Sequence, residues 1–242
     1  KISRDKIRSW RFEWQTAKKI LNDGWPVVLS GAAMSVYMRV DQIMIKEMIN
    51  AEAVGQYAAA VRLSEGWYFI PMAIVASVFP AILNAKKMGK DIYYARLQKL
   101  YNLMAYLGMA IGVPVIFLSD WLINFLYGSE YAQAGGVLVI HVWAGLFYSF
   151  GLVTWKWFFA ENYQLLGSLR SVYGMVFNIL LNLIVIPTHG LRGAAFATLL
   201  AHFLAFFVLD FFDPKTKPLF FMKLKAVFCP ASNLINWQRE VA

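Results

Sequence analysis

Met38-Arg39-Val40-Asp41-Gln42-Ile43 and Ala59-Ala60-Val61-Arg62-Leu63-Ser64-Glu65-Gly66-Trp67-Tyr68-Phe69-Ile70-Pro71 decide the reading of this chain. They lie in two apolar stretches that turn back on each other at Asn50-Ala51-Glu52. Each stretch carries a cation and an anion well inside its length. Ionisable groups are costly in a bilayer, and those present usually face a bundle interior or a water-filled path.

The surrounding chain has the composition of a membrane protein. Hydrophobic residues make up 60% of the 242 residues, charged residues only 15%, and mean hydropathy is +0.52. The apolar residues cluster into long runs, which predicts an all-α polytopic membrane protein, a six-transmembrane-helix bundle. Net charge is +9, but the basic residues sit between the runs rather than in one patch, which excludes a nucleic-acid partner as the main reading. A single cysteine, Cys229, excludes an intrachain disulfide and a cysteine-based zinc site. No signal peptide is visible: the first residues are basic and amphipathic. The chain is expected to be the carboxyl-terminal portion of a longer protein.

Three segments are predicted. Residues 1–23 carry seven Lys or Arg interleaved with Trp10, Phe12, Trp14, Ala17 and Ile20, which suits a basic amphipathic helix in the cytoplasmic interface. A nucleic-acid arm is the alternative for that segment. Residues 24–212 form the six-helix lobe, and residues 213–242 a cytoplasmic tail. Within the lobe, helix A is expected over Trp25–Met48 and helix B over Ala51–Leu83, interrupted at Pro71 and Pro80. Residues 86–99 read as a basic loop. Helix C covers Leu100–Leu118, ended by Ser119-Asp120; helix D covers Ala132–Phe159; helix E covers Leu166–Ile186; helix F covers Leu191–Phe212. With both ends inside, 19 basic residues fall in inner segments and only Lys46 and Arg192 in outer ones. That bias orients the chain with both ends cytoplasmic.

Folding A onto B brings Asp41 to the depth of Arg62, and Arg39 to that of Glu65. At about 1.5 Å per residue this depth is roughly 15–20 Å from the turn, near the membrane middle. The four groups are read as a cross-helix network beside an aqueous cavity. A structural ion pair fixing A against B is the plainer alternative. Arg62 also has Tyr57, Trp67, Tyr68 and Phe69 nearby in sequence. Guanidinium with aromatic rings suits a phosphate–sugar ligand, although each ring singly fits packing or lipid contact as well. Lys156 reads as a snorkelling lysine before a phosphate contact, His141 and His202 as hydrogen-bonded histidines before proton relays, and Asp210 as a cap on the inner end of helix F or simply a hydrated residue. No catalytic triad, paired catalytic carboxylates, P-loop or metal-ligand spacing occurs, so neither an enzyme nor a cofactor is expected.

Several motifs together resemble a known family. Val40-Asp41-Gln42-Ile43-Met44-Ile45 followed by Ala53-Val54-Gly55-Gln56-Tyr57-Ala58-Ala59-Ala60-Val61-Arg62-Leu63-Ser64-Glu65 resembles the start of the carboxyl-terminal lobe of Wzx-type polysaccharide flippases. These belong to the multidrug/oligosaccharidyl-lipid/polysaccharide exporter superfamily. Phe79-Pro80-Ala81, Leu126-Tyr127-Gly128-Ser129-Glu130-Tyr131-Ala132 and His189-Gly190-Leu191-Arg192-Gly193-Ala194-Ala195-Phe196-Ala197-Thr198 fit later landmarks of the same lobe. The resemblance implies a MATE-like architecture of two six-helix lobes around a cavity, this chain being the second. It implies movement of undecaprenyl-diphosphate-linked oligosaccharide across the bacterial inner membrane by alternating access, coupled to H+ or Na+. The implied partners are that lipid-linked sugar, the membrane lipid, the coupling ion and the amino-terminal lobe. By charge and depth, Arg39 and Arg62, with Tyr57 and Trp67, are assigned to the headgroup cavity, and Asp41 and Glu65 to charge balance or ion coupling. A cation-coupled small-molecule exporter of the same superfamily and a membrane enzyme of polysaccharide assembly are the competing readings.

Overall fold

The computed structural model describes residues 12–228; Cys229 and the basic positions before residue 12 lie outside the described residues. Every regular element among the described residues is helical. They are α1 (Trp14–Tyr37), α2 (Val40–Met48), α3 (Ala51–Glu65), α4 (Phe69–Met88), α5 (Lys90–Tyr127), α6 (Ala132–His141), α7 (Ala144–Ala160), α8 (Gln164–Phe203), α9 (Leu209–Phe212) and α10 (Lys217–Phe228). A 3-10 turn, Ser129–Tyr131, precedes α6, and a π-helical stretch, Leu204–Val208, joins α8 to α9.

Among the described residues, three stretches are long and apolar enough to cross a membrane: Ala51–Met88, Lys90–Tyr127 and Gln164–Phe212. The pair Ser129–His141 and Ala144–Ala160, bent by 45°, makes a fourth if it is one span. The 49 residues of Gln164–Phe212 would extend about 70 Å as a straight helix, more than twice a bilayer core of about 30 Å. The chain instead reverses at Gly190, whose φ of 56° is natural for glycine. Asn178 then meets Thr198, and Arg170 meets Asp210, across two antiparallel limbs.

The bundle has two chemically distinct ends. At one end lie the turns at Asn50, Gly128 and Gly190. Gln56 donates there to the Glu130 carbonyl at 2.6 Å, tying the first turn to the second. Asn50 caps α3 by accepting from the Ala53 N–H at 2.8 Å. At the other end lie the sharp turn at Gly89, with φ of 147°, and the turn at Glu161-Asn162-Tyr163. Lys86 bridges them, donating to the Ala160 carbonyl at 2.9 Å and pairing with Glu161 at 2.9 Å. Each end has its own apolar core. Ile45, Tyr57, Val61, Ile123, Leu138, Ile186 and Leu191 are among the residues filling the Asn50 end; Phe79, Leu97, Tyr101, Met104, Phe150, Trp157 and Phe207 are among those filling the lysine-rich end.

The helix boundaries differ from the sequence expectation in informative ways. The first limb runs unbroken through residue 23 from Trp14, and breaks instead at Met38-Arg39. Pro71 does not interrupt helix B: it occupies the first turn of α4, where a missing N–H costs little, and Pro80 is accommodated inside α4. The break falls at Gly66-Trp67-Tyr68. Helix C is longer than Leu100–Leu118. It absorbs most of the basic segment at its start and continues past Ser119-Asp120 to Tyr127, so only Gly89 remains of the loop. Helix D is broken at Val142-Trp143. Within the tail, α10 folds back on the bundle, burying Leu219, Lys223 and Ala226.

Candidate functional site

The break at Met38-Arg39 places Asp41 in the first turn of a new helix. Unpaired backbone N–H groups and the helix dipole favour an anion there. The Asp41 carboxylate accepts from the Gln42 N–H at 2.9 Å. The side chain is nonetheless buried, with 3% exposure. Tyr57, one helix away on α3, donates a short hydrogen bond to Asp41 Oδ2. Thr198 Oγ1, on the second limb of α8, lies 3.3 Å from the same oxygen. Three separate elements therefore converge on one carboxylate.

The polar chain continues into α8. Asn178 Nδ2 donates to Thr198 Oγ1 at 3.4 Å, and Asn182 Nδ2 donates to Asn178 Oδ1 at 3.1 Å. Both amides are fully buried, and Asn182 Oδ1 has no hydrogen-bond partner among the described residues. Next to this chain, Ser64 and His141 share a hydrogen bond of 2.8 Å, and His202 Nδ1 donates to the Thr198 carbonyl at 2.9 Å. The His141 ring stands edge-on to Tyr57, with centroids 6.2 Å apart. Among the described residues, Asp41 has neutral partners only: no cation pairs with it. A carboxylate buried that way is stable when protonated or when a small cation joins its oxygens.

The other sequence candidates fall into different settings. Arg39 and Glu65 do approach each other, at 3.9 Å, and Arg39 is largely exposed. Arg62 is exposed and does not meet Asp41, because Tyr57 occupies that place. Tyr57 belongs to the buried carboxylate cluster rather than to a cavity wall. Trp67 is buried against α7: a Cβ at Gly145 would overlap its ring, so glycine is what admits the indole. Trp67 stands edge-on to Tyr68 at 5.5 Å, and Tyr68 stacks on Tyr148 at 4.4 Å. Lys156 is exposed.

A second buried charge cluster closes the lysine-rich end. Arg170 and Lys223 both make short ion pairs with Asp210. Arg170 Nη2 also donates to Thr216 Oγ1 at 2.6 Å, and Lys223 Nζ to the Phe206 carbonyl at 2.6 Å. Phe206 sits in the π-helical stretch, whose altered bonding gives Lys223 a carbonyl to reach. Asp210 is thus an anchor for α10 rather than a helix cap. Arg170 is buried because α9 and α10 close over it.

Comparison with known proteins bears on what this bundle belongs to. The model of the polysaccharide biosynthesis protein family matches residues 2–135, more than half of the chain. The chain belongs to that family. Membership agrees with the Wzx-type resemblance carried by the Asp41 and Arg62 stretches, both of which fall inside the match. The chain is 24% identical over 208 residues to a probable low-salt glycan biosynthesis flippase, Agl15, of Haloferax volcanii, covering 81% of this chain and 43% of that protein. It is 23% identical over 185 residues to the capsular polysaccharide biosynthesis protein CapF of Staphylococcus aureus, covering 74% and 46%. It is 29% identical over 119 residues to a putative O-antigen transporter of Shigella dysenteriae, covering 49% and 29%. The chain thus spans less than half the length of these relatives. No solved structure matches it.

Proposed function

We propose that this family member is the second lobe of a flippase for lipid-linked oligosaccharide, a transporter and not an enzyme. It works with an amino-terminal lobe, by alternating access, in the bacterial inner membrane with both of its own ends cytoplasmic. The cargo is a sugar unit on undecaprenyl diphosphate. The exposed Arg39 and Arg62 are suited to its diphosphate, because a guanidinium grips phosphate oxygens in a fixed fork. They favour an anionic headgroup over a cationic small molecule. Trp67 and Tyr57 act behind them, Trp67 by fixing the α3–α4 break and Tyr57 by holding Asp41.

The observation that carries the reading is the buried Asp41, which lacks a cationic partner among the described residues and sits at a helix break. A carboxylate there can take up H+ or Na+ and give it back when the packing around the break changes. Glu65, paired with Arg39, balances the arginine layer. Family membership and relatives named as a glycan flippase and an O-antigen transporter support the cargo class.

Complementation of a flippase-deficient strain with the full-length gene tests the proposal. Wild type restores surface polysaccharide, and Arg39→Ala with Arg62→Ala together does not. Full restoration by that double variant would remove the arginines from the headgroup site.

A further inference from the structure

At the Asn50 end, α5, α6 and the Gly190 turn border an open cleft of about 670 Å³. Its polar lining is Ser119, Asp120, Asn124 and Arg192. The two charged groups lie flat against consecutive glycines of α6. A Cβ at Gly135 would overlap the Asp120 carboxylate, and one at Gly136 would come within 2.5 Å of Arg192 Nε. Among the described residues, neither Asp120 nor Arg192 has an ion-pair or hydrogen-bond partner, not even each other. The cleft therefore offers one exposed anion and one exposed cation, each packed over one of two consecutive glycines of α6.

The cleft borders an exposed apolar surface of α5. Ile116, Asp120 and Asn124, which line it, recur every four residues on α5. The next positions, Phe117, Trp121 and Phe125, form an adjoining stripe that is 80%, 60% and 72% exposed. Trp121 and Phe125 stack at 5.4 Å, an arrangement suited to the interface between headgroups and acyl chains. A ligand here has both a dipolar head and an apolar body.

We propose that this cleft binds a zwitterionic phospholipid with a primary ammonium, with Arg192 on the phosphate, Asp120 on the ammonium and acyl chains along Phe117 and Phe125. Guanidinium–phosphate and carboxylate–ammonium pairs are each charge-assisted, and both are used by this headgroup. An anionic headgroup would use Arg192 but meet Asp120 with like charge.

The test is native mass spectrometry of the detergent-purified full-length protein with phosphatidylethanolamine and phosphatidylglycerol at equal concentration. Wild type retains phosphatidylethanolamine about tenfold better. Asp120→Asn abolishes that preference while phosphatidylglycerol stays bound, which also shows that the variant is folded. Arg192→Gln loses retention of both lipids at this site, and Arg192→Lys keeps the preference. Equal retention of the two lipids by wild type, or an unchanged preference in Asp120→Asn, overturns the proposal. So does displacement of the lipid by equimolar free phosphoethanolamine, which would mean a soluble ligand.

Discussion

Tyr57 and Asp41 meet across the α2–α3 pair through a short hydrogen bond, and Thr198 reaches the same carboxylate oxygen at 3.3 Å from α8. This relationship joins the first two limbs of the bundle to the last. A change in the charge of Asp41 is felt by all three.

Asp41→Asn keeps the volume and removes the ionisable group. The expected result is a folded protein that fails to restore surface polysaccharide in the complementation assay. The melting temperature in detergent stays near that of wild type, because an amide in a buried site demands less solvation than a carboxylate. Normal polysaccharide with Asp41→Asn would remove this residue from ion coupling.

Tyr57→Phe leaves the ring in place and deletes the donor to Asp41. A buried acceptor that loses its partner costs about 1–3 kcal/mol. Thermal unfolding should show that loss for Tyr57→Phe alone. Combined with Asp41→Asn, the second change should cost less than it does by itself, since the two residues share the bond.

Asp210→Asn leaves Arg170 and Lys223 as neighbouring buried cations with no carboxylate between them. Breaking a buried pair in this way costs about 3–5 kcal/mol. Lys86→Ala removes the half-exposed pair with Glu161 and should cost at most about 1 kcal/mol. The contrast, read as melting temperatures, separates the clasp on α10 from ordinary surface charge. Limited proteolysis should cut α10 earlier in Asp210→Asn than in wild type.

Cysteines at positions 39 and 65, in a Cys229→Ser background, should be bridged by a short bifunctional maleimide. Arg39 and Glu65 already approach within 3.9 Å at their tips. Cysteines at 41 and 62 should react poorly, because one position is buried behind Tyr57 and the other faces outward. Efficient bridging of 41 to 62 would contradict the packing of α2 on α3.

The sequence by itself determined the class of fold and the turns at Asn50, Glu161-Asn162-Tyr163 and Gly190. Long apolar runs admit little else, because a bilayer leaves helices as the means of satisfying the backbone. Gly89, Gly128 and Gly190 adopt positive φ at three of the turns that reverse the chain, and glycine tolerates that at little steric cost. Arg39 opposite Glu65 was also legible, since one hairpin and a fixed rise per residue relate their depths. Tertiary structure alone decided which groups Asp41 meets. Depth along a helix does not specify direction around it: Tyr57, not Arg62, points at Asp41, and Thr198 comes from 157 residues away. The same holds for Asp210, whose cations are supplied by the first limb of α8 and by α10. Asn178 and Asn182 were visible as amides four apart in an apolar run, but only the Gly190 reversal sets Thr198 against Asn178 and so extends the Asp41 cluster. The stretch around Asp41 thus fixed where charge enters the bundle, and the packing of three limbs fixed what that charge touches.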